Sequence, residues 1–211
     1  DPKQSGLLER EIGKFGQKDP GVITIGGYVI NGNRRMSVLQ NLVNEGDSNF
    51  NFLDVARLPV GVSAIDIWKI EAGIQLSRPV QLNYGPINNL LKFKEGIEAG
   101  LKPLEIAKEL YGGFKEKDII EKLEQLKLIT QYTYHIGCPK QYIKAKGLDT
   151  HFIDLRNRII HAEKLGMSKN EITDLKMIGF ELIWGGCTHK ELRKIDKILD
   201  DPDIKKDFLV R

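Results

Sequence analysis

The sequence predicts an α+β protein: a small α/β unit followed by a mostly helical region that contains a helix-turn-helix. Three observations carry this. Short β-type runs, Val22-Ile-Thr-Ile25, Tyr28-Val-Ile30 and Asn51-Phe-Leu-Asp-Val-Ala-Arg57, fall within residues 21–60 and are separated by the turn signals Gly26-Gly27 and Asn31-Gly32. From about Ile65 onward the apolar residues recur with helical rather than strand period. Helix start and stop signals then repeat to the end of the chain. These readings divide the chain into residues 1–64, 65–130 and 131–211.

Each element has a local reason. Gly26-Gly27 closes a hairpin between the first two runs. Met36 to Val43 reads as a short helix, with Met36, Leu39 and Val43 on one face. Three strands make a thin sheet, because so small a sheet buries little on its own, and a further strand preceding residue 1 is expected. Pro86 suits the first turn of a helix that Gly100 stops. Pro103 opens the next, Leu104 to Leu110, which ends at Tyr111-Gly-Gly113, and Lys115 to Leu128 forms another. A helix follows over about His151 to Leu165. Ser168 with Glu171, and Thr188 with Glu191, are capping-box signatures that start two more, the second expected to be long. Gly185-Gly186 ends the first of these.

Composition excludes some classes. Hydrophobic content of 41% and charged content of 29% are ordinary for a globular protein. No apolar run approaches the roughly 18–20 residues that span a bilayer, and Asp1-Pro-Lys-Gln-Ser-Gly6 does not read as a secretory leader. Two cysteines, Cys138 and Cys187, do not make a disulfide framework, so a reducing cytoplasm and no membrane partner are expected. The net charge of +3 is uneven: lysines gather in residues 101–146, acids at Asp200 to Asp203.

Two segments carry chemistry. At Asn31-Gly32-Asn33-Arg34-Arg35 a strand runs through a tight turn into a helix, presenting backbone N–H groups at the helix N-terminus and two forked guanidinium groups. Such a turn suits phosphate. It can equally be a plain Asn-Gly turn with solvated arginines. The second segment, Glu98 to Leu123, has helix-turn-helix layout: a short helix holding small Ala107, glycines at Gly112-Gly113, and a second helix from Lys115. Lys115, Lys117 and Lys122 are its candidate DNA contacts, lysines acting mainly on phosphates. A plain helical hairpin has the same pattern, and Glu116, Asp118, Glu121 and Glu124 share that helix with no Arg, Asn or Gln in its first turn.

Gly32-Asn-Arg-Arg35 resembles the Gly-Glu/His-Arg-Arg box of the ParB partition-protein family. Leu7 to Pro20 looks like the helix and turn before that box, Ile70-Glu-Ala-Gly-Ile-Gln75 resembles the Glu-Asn-Ile-Gln-Arg box, and Leu82 to Leu90 resembles the Leu-Asn-Pro-Ile-Glu-Glu-Ala that follows. The order is kept over about 90 residues. The chain departs from the pattern at Ala72-Gly73, where the family has one Asn, and at Leu76, where it has Arg, with Arg78 near. The resemblance implies a ParB/sulfiredoxin-like nucleotide-binding unit in which Gly32, Asn33, Arg34 and Arg35 hold a nucleotide triphosphate, CTP or ATP. It also implies Glu71 as a catalytic or metal-side carboxylate, Mg²⁺ as companion ion, DNA as partner and a homodimer. The expected function is a nucleotide-switched DNA-binding protein in partition, regulation or defence, turning over nucleotide slowly if at all.

The alternative is a ParB-fold enzyme, a nuclease or a phosphotransferase, but Glu71 with Asp66 is the one acidic pair near the boxes. A third possibility is a scaffold whose nucleotide turn is vestigial. Gly185-Gly-Cys-Thr-His189 is similar to the sulfiredoxin Gly-Gly-Cys-His-Arg, yet it lies between helices and reads as a helix stop plus N-cap. His135, Cys138, Cys187 and His189 are zinc-ligand types, but only His135-x-x-Cys138 has a common ligand spacing, and no metal is assigned. Trp68 and Trp184 read as core.

Overall fold

A computed structural model describes residues 2–76, 85–110 and 113–209, without the side chains of residues 2–4, 75 and 76. The chain is α+β and mostly helical, and it divides into two compact units, Asp1–Gln75 and Leu76–Arg211.

The first unit contains α1 (Pro2–Phe15), β1 (Gly21–Ile23), β2 (Val29–Asn31), α2 (Asn33–Asn44), a 3-10 turn at Ser48–Phe50, β3 (Val55–Arg57) and α3 (Ala64–Leu76). The sheet order is β2-β1-β3. β1 and β2 are antiparallel, joined at Gly26-Gly27, where the Gly27 amide donates to the Thr24 carbonyl at 3.0 Å. β1 and β3 are parallel, with Gly21 opposite Val55 and Ile23 opposite Arg57. A parallel pair needs a long crossover, and α2 supplies it. Ile12 of α1 with Val38 and Leu39 of α2 forms a buried cluster, against which Leu8, Leu42, Phe50 and Leu53 pack. Strand β3 is exposed along its whole length, as befits the edge of a small sheet.

Two boundaries in the first unit differ from the sequence reading. α2 begins at Asn33, not Met36, so Asn33, Arg34 and Arg35 form its first turn rather than the loop before it. Gly32 is the cause: at φ 115° it reverses the chain in one residue, a conformation that L side chains rarely adopt. And α3 belongs to the first compact unit, so the division falls at Gln75, beyond the expected residue 64.

The second unit is helical: α4 (Pro86–Glu98), α5 (Pro103–Glu109), α6 (Glu116–His135), α7 (Asp149–Lys164), α8 (Lys169–Trp184), α9 (His189–Leu192), α10 (Ile195–Leu199) and α11 (Pro202–Leu209). α4, α5 and α6 pack on one another around buried Leu90, Phe93, Ile106, Ala107 and Ile119. α6 runs unbroken past residue 130, so the boundary expected there lies inside a helix. Tyr132 of α6 meets Phe152 of α7 and Phe180 of α8 edge-on, at centroid distances of 5.3 and 5.8 Å. Both capping boxes form: the Ser168 amide donates to Glu171 at 2.8 Å, and the Thr188 amide to Glu191 at 2.7 Å. Thr188, however, opens no long helix. α9 is one turn, and the chain turns again at Arg193-Lys194, where Arg193 Nε reaches the buried Asp154 carboxylate of α7 at 2.9 Å. Among the described residues no helix is long and apolar enough to cross a membrane.

Candidate functional site

The first residues of β1 and β3, the last of β2 and the start of α2 meet at one end of the small sheet. There Gly21 and Gly32 touch: a Cβ on Gly32 would stand 3.1 Å from Gly21 Cα, and one on Gly21 would stand 3.0 Å from the Asn31 carbonyl. No side chain caps α2, and no acidic residue lies in its first turn. The first-turn amides, with the positive end of the helix dipole, favour an anion over a cation.

Both arginines interact within the chain. Arg35 folds back onto its own chain: Nη1 donates to the Asp19 carbonyl and Nη2 to Asn31 Oδ1 at 2.7 Å. Redirecting that fork to a ligand would break two charge-assisted hydrogen bonds, about 1.5–3 kcal/mol each. Arg34, half-buried beside it, also interacts within the chain. Gln17 completes the arrangement. Its Nε2 donates to the carbonyls of Asp19 and Asp54, at 2.8 and 2.7 Å, and its Oε1 accepts the Asp54 amide at 3.0 Å. Sequence reasoning missed Gln17 and the role of Asn31, since the Gln17–Asp54 contact spans 37 positions and leaves no local pattern.

Glu71 and Asp66 do not form a carboxylate pair. Five positions apart on α3, they point about 140° away from each other around the axis. Asp66 is committed as a cap: its Oδ2 accepts from the Ser63 hydroxyl at 2.7 Å and the Ser63 amide at 3.2 Å, and these bonds hold its carboxyl below the usual range. Glu71 is half-buried and engaged within the chain. Arg78 and Leu82 to Tyr84 of the following box lie outside the described residues, as do Tyr111 and Gly112 of the helix-turn-helix turn.

In the second unit, Lys115 is the N-cap of α6, Lys117 lies in its first turn, and both are exposed. The Lys115 amide donates to Asp118 at 2.8 Å, and Lys117 lies 3.8 Å from Glu121, a pair too exposed to matter much. Lys122 points elsewhere, its Nζ 6.0 Å from the Phe114 ring centroid. It borders a cleft of about 320 Å³ that is lined by two acids, Asp118 and Glu121, and two bases, Lys122 and Arg156. The outward face of α6 carries Glu116, Lys117, Ile120, Glu124 and Lys127, so its charges cancel.

The zinc-type residues are dispersed into other contacts. His135 Nε2 lies 2.8 Å from Glu181, and His189 Nδ1 lies 3.3 Å from Asp154. His151 Nε2 lies 3.0 Å from the Cys187 carbonyl. Among the described residues no group of three or more His, Cys, Asp or Glu is arranged to hold a metal. Burial, with the Glu191 charge, pushes the Cys187 thiol up, so it is no activated nucleophile beside the Asp154–His189 pair.

No family model matches the sequence, and no curated protein matches it.

Proposed function

We propose that this chain is a ParB-like DNA-binding protein whose first unit binds the phosphates of a nucleotide triphosphate at the α2 turn, and whose α4–α6 helices bind DNA. It would act in DNA partition, regulation or defence. The observation that carries the nucleotide part is the passage from β2 through Gly32, at φ 115°, into an uncapped helix with two arginines and no acid in its first turn. Backbone amides, the helix dipole and guanidinium charge converge there, and each favours a polyanion. Any Mg²⁺ would enter with the nucleotide, held by its phosphates. The packed α4–α5–α6 arrangement, with exposed Lys115 and Lys117 at the start of α6, supports the DNA part.

Calorimetric titration with CTP, ATP and ADP, with and without Mg²⁺, tests the nucleotide part: saturable triphosphate binding lost in Arg34→Ala is expected, and no binding to any of them overturns it. A salt-dependent gel shift lost on Lys115→Glu/Lys117→Glu is expected for DNA; unchanged binding refutes the assignment of α6.

A further inference from the structure

We propose that Arg35 is a positioning residue, a latch that holds the phosphate turn in shape without gripping the ligand. The inference rests on the reading of that turn as a phosphate site. Both terminal nitrogens of the Arg35 fork are committed inward, to the Asp19 carbonyl of the α1–β1 loop and to Asn31 Oδ1 at the end of β2. The Asp19 carbonyl is also held by Gln17, which in turn fastens the start of β3 through Asp54. Three chain segments are thus tied to the first turn of α2. Gly32 cannot hold that turn itself, since a glycine at positive φ restricts nothing. A planar, bidentate donor suits this role where a point charge does not. Arg35 therefore fixes where the α2 amides point, and the anion meets those amides.

Asn31→Ala separates latch from grip, because the two predict opposite signs. It removes no charge and releases one half of the Arg35 fork. If Arg35 latches, Asn31→Ala weakens CTP and tripolyphosphate binding several-fold. If Arg35 grips, the released fork leaves affinity unchanged or raised, and the proposal is overturned. Hydrogen exchange on the full, ligand-free chain supplies the second readout. Arg35→Lys keeps the charge but not the fork, and should speed exchange of the Gly21 and Asp54 amides, which donate to the Asp54 carbonyl and to Gln17 Oε1, about tenfold. Equal exchange in Arg35→Lys and wild type overturns the latch. Should the wild type bind neither CTP, ATP nor tripolyphosphate, the phosphate reading fails and the proposed role in binding with it, whereas the exchange result still decides whether Arg35 holds the turn.

Discussion

Gly21 and Gly32 lie back to back, so that a Cβ on Gly32 would sit 3.1 Å from the Gly21 Cα. The close approach brings the first residue of β1 against the N-cap of α2 and sets the entry to the candidate phosphate turn. Gly32→Ala combines strain at φ 115° with that contact and should destabilise the first unit by about 1–3 kcal/mol. Gly27→Ala, at φ 83° but with open space around it, should cost less, because only the backbone term remains. Trp68 is buried in the first unit and Trp184 lies in the second, so urea unfolding followed by fluorescence in a Trp184→Phe background reads the first unit alone.

Gly179 lets α8 approach α7. A Cβ there would fall 2.4 Å from Leu155 Cδ1, and Leu155 is fully buried, so the methyl has little space to retreat into. Alanine would gain up to about 1 kcal/mol of helix propensity but overpack the contact by about 1–3 kcal/mol. Gly179→Ala should therefore lower the urea midpoint of the second unit, whereas Gly13→Ala, with nothing near, should raise that of the first. A stabilised Gly179→Ala would mean that α7 and α8 are not packed closely at Leu155.

The neutral outward face of α6 limits how DNA can be bound. Each lysine–phosphate contact contributes about 0.9 to the slope of log K against log salt. With Lys115 and Lys117 as the principal contacts, the slope should be about two in magnitude and approach zero in the double charge reversal. A slope of six or more would locate the DNA surface elsewhere in the chain.

Much of the fold was legible because its signals are local. Gly26-Gly27 specified a hairpin, Pro86 and Gly100 bracketed α4, and Ser168 with Glu171 marked the start of α8. What escaped is held by distant partners. The start of α2 moved to Asn33 because Gly32, an unconventional N-cap, turns the chain without a side-chain bond. In place of the expected last long helix stand three short ones, and Arg193, between the first two, meets Asp154, 39 positions earlier. The candidate phosphate turn was visible as Gly-Asn-Arg-Arg, but nothing in that string reveals that Arg35 is turned inward by Asp19 and Asn31.

Acid should loosen the second unit through Glu171. The Ser168 amide and hydroxyl, with Lys205 at 3.1 Å, hold its carboxyl down to about 2, against an ordinary value of 4.5. A depressed carboxylate adds stability that is fully present above about pH 4.5 and lost as pH falls toward 2. Ser168→Ala removes the cap, which is worth about 1 kcal/mol near neutrality, and it also brings the carboxyl back toward its ordinary value. The variant should therefore be less stable than wild type at pH 7, and the gap should narrow between pH 4.5 and pH 2, where the wild type gives up what the variant has already lost. Urea unfolding followed by the helical circular dichroism signal, to which the second unit contributes most of the helix, reads this. Parallel stability curves for the two proteins across that range would show that the Ser168–Glu171 box does not set the acid response.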